Sequence, residues 1–223
     1  SNLSDYGIDD QIQELAKLGA VIARQACDEF TAKDSKTRWV LGSMGPGTKL
    51  PSLGHTSYRN LVETFKLQAI GLIEGGADAF MVETSQDLLQ TKAAVNACRQ
   101  AVVDTGIRLP LFVEVTVETT GTMLLGTEIG AALTTLEPLG IDMIGLNCAT
   151  GPAEMSEHLR QLSKHSRVPV MVMPNAGLPI LSGDGAYYPL GPDELATAHE
   201  QFVKEFGLAL VGGCCGTTPA HLK

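Results

Sequence analysis

Short runs of aliphatic and β-branched residues recur along this chain, and they are close to continuous instead of alternating with polar positions. They are Trp39-Val40-Leu41, Ala79-Phe80-Met81-Val82, the run from Leu111 to Val117, residues 143–146, residues 170–173 and residues 208–211. A strand with one wet face alternates. A continuous apolar strand is buried on both faces, which requires a parallel sheet covered by helices. The segments between the runs carry the helical period. Asp9 to Phe30 places Ile12, Leu15, Ala16, Ala20, Ile22, Ala23 and Ala26 along one stripe, and Ser57 to Glu74 is closed by Gly75-Gly76. Leu88 to Thr105, Ile129 to Leu139, 153–165 and 192–206 read as further helices. The alternation predicts an α/β fold with six β/α units. A closed (β/α)₈ barrel of the TIM type needs eight. Periodicity allows either an open sheet or a barrel lacking its first two strands. Thr217 to Lys223 reads as the beginning of another helix.

A chain of 223 residues fits one domain, here 1–223, and no proline- or serine-rich linker divides it. The formal charge of −9, with no basic cluster, argues against a nucleic-acid partner. No apolar stretch is long enough to span a bilayer and no signal-peptide pattern opens the chain, so no membrane partner is expected. The five cysteines are an odd number in a chain of this size, which favours a reducing compartment, the cytoplasm, over a disulfide scaffold. Cys27 and Cys98 lie in helix-like segments among apolar neighbours and read as packing residues.

The other three cysteines stand where strands end. The run 143–146 breaks into Asn147-Cys148, and the run 208–211 into Gly212-Gly213-Cys214-Cys215-Gly216-Thr217. In a parallel α/β fold the C-terminal strand ends converge on one face, where ligands bind. Three thiolates gathered there suit zinc, with a fourth position left for substrate. Buried cysteines that only pack a strand end are the competing reading. The wide separation of Cys148 from Cys214 excludes a zinc finger, whose ligands come in close pairs. The five histidines are scattered through loops and helices, and none is expected to ligate metal. Ser43-Met44-Gly45-Pro46-Gly47 reads as a loop lining a substrate pocket; its spacing is not that of a phosphate-binding loop. Asn175-Ala176-Gly177 is expected to shape the pocket wall, and Tyr187-Tyr188 to belong to a lid, a domain contact or an exposed turn.

Gly-Leu-Asn-Cys at 145–148 with Gly-Gly-Cys-Cys-Gly-Thr at 212–217 resembles the zinc signature of the homocysteine S-methyltransferases. Gly-Ser-Met-Gly-Pro at 42–46, Val-Glu-Thr at 82–84 and Met-Pro-Asn-Ala-Gly at 173–177 match as well. The runs at 117–123 and 147–155 narrow the resemblance to the homocysteine-binding module of the cobalamin-dependent methionine synthases. The resemblance implies a (β/α)₈ barrel in which Cys148, Cys214 and Cys215 hold zinc and homocysteine sulfur takes the open position. It implies that Glu83 binds the substrate amino group, with Asn147 orienting the substrate or the site and Ser43 in the lining loop. Methylcobalamin and methyltetrahydrofolate would be carried by cobalamin-binding and folate-binding domains of the same parent chain. The family's first strand, which carries Asp-Gly, and its second, which carries Glu-Thr-Asn-Thr, do not appear here. The chain is therefore expected to be a fragment of a larger enzyme, truncated at both ends and inactive alone. Two other readings stand beside this one: a stand-alone homocysteine S-methyltransferase using a sulfonium donor, and a metal-free fragment without catalytic competence. Glu114 and Glu118 receive no role, because methyl transfer to a thiolate needs no general base.

Overall fold

The helical stripes fold where they were read. In the computed structural model, which describes residues 2–183 and 185–223, there are six α-helices among the described residues: α1 (Ile12–Asp34), α2 (Tyr58–Glu74), α3 (Leu88–Thr105), α4 (Ile129–Leu136), α5 (Pro152–His165) and α6 (Pro192–Phe206). The strands are β1 (Leu41–Met44), β2 (Ala79–Ser85), β3 (Leu111–Val115), β4 (Met143–Asn147), β5 (Val170–Met173), β6 (Ile180–Ser182), β7 (Gly185–Tyr187) and β8 (Leu210–Val211). Six of them form one sheet in the order β1-β2-β3-β4-β5-β8, with parallel pairing, and β6-β7 is a separate antiparallel hairpin. Strands that neighbour in chain order, each pair joined through a helix, give the topology of the TIM barrel, here with six strands.

The chain divides into two compact units. The first comprises the chain through Glu83 with Asp87–Phe112, and the second Thr84–Gln86 with Val113–Lys223. In the first, β1 pairs β2 from Leu41↔Ala79 to Met44↔Val82. Ser57 caps α2 by accepting from the Asn60 N–H at 3.1 Å, and Asp87 caps α3 by accepting from Leu89 at 2.9 Å. Small residues Ala93, Ala94, Ala97 and Ala101 line the fully buried face of α3. On α1, by contrast, only Ile12 and Ala20 are buried, and Leu18, Ile22 and Phe30 stay exposed.

The second unit is built on β4-β5-β8. Ile144 faces Val170 and Asn147 faces Met173, while Val172 faces Val211. Leu133 and Leu136 of α4, Met155, Leu159 and Leu162 of α5, and Leu195 and Phe202 of α6 are buried. Both α5 and α6 begin with proline after a glycine whose N–H is taken by a glutamate three residues on, Glu154 at 3.1 Å and Glu194 at 2.8 Å.

Several expectations change, strand bounds among them: Trp39 and Val40 precede β1, residues 116–117 follow β3, and 208–209 precede β8. Ser43 and Met44 lie on β1 and not in a loop, because Gly42, which reads as a breaker, fits beneath Leu72 and Ala77 within the strand. Pro138 ends α4 early and leaves Glu137–Leu139 as a 3₁₀ turn. Residues 217–223 form turns in place of a helix start, held by His221, whose N–H donates to the Thr218 carbonyl and whose Nδ1 accepts from the Thr218 N–H. The hairpin β6-β7 was not anticipated.

Candidate metal centre

Three cysteines reach one point because of where β5 lies. It sits between β4 and β8 in the sheet, and the chain beyond it anchors both neighbours. After β4, the Cys148 N–H donates to the Met173 carbonyl at 3.2 Å; after β8, the Cys214 N–H donates to the Pro174 carbonyl at 2.8 Å. At Cys148 and Ala149 the backbone then turns left-handed, with φ of +61° and +57°. The three sulfurs lie within 4.8 Å of one another. Cys148 Sγ is 3.7 Å from Cys215 Sγ, and Cys214 Sγ is 3.9 Å from Cys215 Sγ. Thiolates at about 2.3 Å from a tetrahedral zinc stand about 3.8 Å apart. The donor set and its spacing fit that ion.

The flanking glycines follow from packing. Thr217 folds back so that its Oγ1 donates to the Cys214 carbonyl at 2.7 Å, and a Cβ on Gly213 would come within 2.4 Å of its methyl group. Gly216 has φ +79°, and the Tyr188 side chain lies where its Cβ would be, 2.3 Å from Cγ. Asn175, buried just beyond β5, accepts the Cys215 N–H on Oδ1 at 3.0 Å. Without metal the cluster holds its charge unevenly. Hydrogen bonding from the Cys214 thiol, helped by the Ala149 N–H, Cys215 and Asn175, lowers the Cys148 thiol to about 6. The same bond pushes Cys214 up, and burial pushes Cys215 up. Burial also raises the Tyr188 phenol, which hydrogen-bonds the Cys215 thiol.

The expected substrate residues fall into two groups. In the first unit, the Ser43 hydroxyl donates a short hydrogen bond to the Glu83 carboxylate; Ser43 is exposed and Glu83 half-buried. In the second unit Asn147 is fully buried at the end of β4. Its Oδ1 accepts from the Thr84 N–H at 2.7 Å, and its Nδ2 donates to Thr84 Oγ1 at 2.9 Å and towards Cys214 Sγ at 3.8 Å.

The model of the homocysteine S-methyltransferase family matches residues 1–223. The chain belongs to that family. It is 66% identical over 223 residues to the methionine synthase of Mycobacterium leprae (strain TN), covering all of this chain and 18% of that protein. It is 65% identical over the same length to the methionine synthase of Mycobacterium tuberculosis (strain ATCC 25618 / H37Rv), covering 19% of it. The chain thus spans less than a fifth of the length of these two relatives. Among solved structures, the Escherichia coli homocysteine methyltransferase MmuM in its metallated form superposes with a TM-score of 0.78 at 21% identity, over 99% of this chain and 72% of that one. Its apo form gives 0.74 at 22% identity, over 96% and 73%. At such identity the likeness is one of fold.

Sequence reading underrated three residues of this family member. Asn175, read as pocket wall, hydrogen-bonds both cysteine loops. Tyr188 packs on Gly216 beside Cys215, whereas its neighbour Tyr187 is exposed. Thr84 has φ +57°, and nothing in its identity signals this, because β-branched residues avoid the left-handed region. Cys98 is buried against Met44 Sδ, a packing residue as read, and Cys27 is half-buried on α1. Among the described residues no helix is long and apolar enough to cross a membrane.

Proposed function

We propose that this chain is the homocysteine-binding module of a cobalamin-dependent methionine synthase, with zinc held by Cys148, Cys214 and Cys215. One observation carries the reading: sulfur separations of 3.7 and 3.9 Å, beside the value of about 3.8 Å that a tetrahedral zinc thiolate requires. Zinc, when bound, supplies the Lewis acidity that favours the thiolate of homocysteine over the thiol at neutral pH. Three cysteine thiolates around a dication leave about one net negative charge, so the substrate sulfur stays electron-rich. Asn175 and the Ala149 N–H hydrogen-bond the Cys148 sulfur, Asn175 also accepts the Cys215 N–H, and Tyr188 hydrogen-bonds the Cys215 thiol. Glu83 takes the substrate ammonium in a charge-assisted hydrogen bond, its carboxylate oriented by Ser43.

The chemistry is a displacement at carbon. The substrate sulfur forms its bond to the methyl carbon as the carrier's bond to that carbon breaks, and the electron pair stays with the carrier. The product is methionine. No proton moves in this step, so Glu114 and Glu118 need take no part. Methylcobalamin on another domain would supply the methyl group, with methyltetrahydrofolate on a third as its source, in the cytoplasm. Identity of 66% and 65% to methionine synthases favours this donor over a sulfonium compound. Elemental analysis of protein purified without chelator, with homocysteine titrated into the same sample, tests the reading. About one zinc per chain, with homocysteine binding that disappears in Cys215→Ser, is expected. Homocysteine binding by metal-free protein, or binding unchanged in Cys215→Ser, would refute it.

A further inference from the structure

Thr84 occupies a backbone conformation that β-branched residues avoid, φ +57°, at the residue that follows Glu83. Such a conformation persists only where its surroundings over-determine it. Here one side chain does so. Asn147 grips Thr84 at two points, accepting its backbone N–H at 2.7 Å and donating to its hydroxyl at 2.9 Å. The grip fixes the orientation of the carboxamide, since only Oδ1 can take the N–H. Asn147 is itself immobilised. Its side chain is wholly buried, and its own carbonyl accepts the Thr116 hydroxyl at 3.2 Å. Thr116 in turn donates its N–H to the Ser85 carbonyl at 3.0 Å, tying down the residue on the far side of Thr84. Both polar atoms of the Asn147 amide are engaged: Oδ1 takes the Thr84 N–H, and Nδ2 is shared between Thr84 Oγ1 and Cys214 Sγ, the latter at 3.8 Å.

We infer that Asn147 is a positioning residue that holds Thr84 left-handed and thereby fixes the direction in which the chain presents the Glu83 carboxylate. This rests on the reading that Glu83 binds the amino group of homocysteine. An alanine at 147 offers neither acceptor nor donor. Thr84 then relaxes towards an extended conformation, and the peptide joining it to Glu83 rotates with it. A glycine at 84 needs no grip, because it takes positive φ without steric cost. A valine at 84 keeps the shape of threonine, keeps the aversion to positive φ, and leaves the Asn147 amide without its hydroxyl partner.

The test compares homocysteine dissociation constants and zinc content in the zinc-loaded full-length protein. Asn147→Ala and Thr84→Val are each expected to weaken homocysteine binding about tenfold with zinc content unchanged, in line with the loss of an outer-shell partner. Thr84→Gly is expected to bind within about twofold of wild type, and Asn147→Ala/Thr84→Gly to recover most of the loss. Hydrogen exchange at the Thr84 amide, expected to speed up in Asn147→Ala, reads the grip without substrate or metal. The inference is overturned if the double variant binds no better than Asn147→Ala, if Thr84→Val and Thr84→Gly bind alike, or if Asn147→Ala loses its zinc. Glu83→Gln separates the two readings. Unchanged binding there removes the role of Glu83 itself, whereas tight binding by Glu83-intact Asn147→Ala removes only the role of Asn147.

Discussion

Metal-free protein should alkylate at Cys148 under conditions where ordinary thiols hardly react. Four hydrogen bonds, the largest from Cys214, hold the Cys148 thiol at about 6, against 9.0 for an unperturbed cysteine. At pH 7 it is then about nine-tenths thiolate, where an ordinary thiol is about one-hundredth, a gain near 90-fold in the reactive form. Part of that gain is lost, because a less basic thiolate is a weaker nucleophile; with a Brønsted slope of about 0.45 the loss is about 20-fold. The net advantage over a reference thiol is about fourfold at pH 7 and about 25-fold at pH 6, and it reverses by pH 9. The sign follows from the lowered value. Reactivity is at its plateau above pH 7 and falls as pH drops through 6. Timed iodoacetamide quenching with peptide mass mapping gives the profile for each cysteine. A Cys148 rate that still climbs between pH 8 and 10 would refute the reasoning, as would faster alkylation of the exposed Cys215 at pH 6.5.

Cys215→Ser should weaken zinc binding by at least about tenfold in competition with a chelator, and an unchanged affinity would remove Cys215 from the ligand set. Gly216→Ala should cost about 1–2 kcal/mol for its positive φ alone, with more from the displaced Tyr188 ring; a urea midpoint equal to wild type would show that the loop relaxes freely. Asp87→Ala should cost about 2 kcal/mol, because Asp87 caps α3 and accepts the Ser52 N–H and hydroxyl at 2.9 and 2.7 Å. Retained stability would mean that water replaces those bonds.

Elements whose signal is local were readable in the chain. Helix α3 and strand β5 have the bounds that the apolar pattern assigns, and the cysteine cluster follows from two strand ends in a parallel topology. What escaped depends on contacts between distant residues. Gly42 reads as a breaker, but its missing side chain makes room for Leu72 and keeps β1 running through Ser43. The left-handed turn at Thr84 comes from Asn147, 63 positions away, and no window around Thr84 contains it. In the hairpin β6-β7, Ile180, Leu181 and all of β7 are exposed, with Leu181 84% accessible, so burial periodicity had nothing to register there. The pattern also assigns no role to the glycines that flank Cys214-Cys215. Two of them are vacancies filled by Thr217 and Tyr188.

Cys148 and Cys214 stand 66 residues apart in the chain, and both belong to the second compact unit. A metal joining them is therefore a covalent-strength clasp on a long loop, and α5, β5, the hairpin, α6 and β8 all lie inside that loop. By the chain-entropy relation for cross-links, closing such a span removes about 4 kcal/mol of freedom from the unfolded chain. Chelation should then destabilise the second unit, lowering its melting temperature. An ion that prepares a nucleophile would at the same time serve as the fastener of the scaffold that presents it.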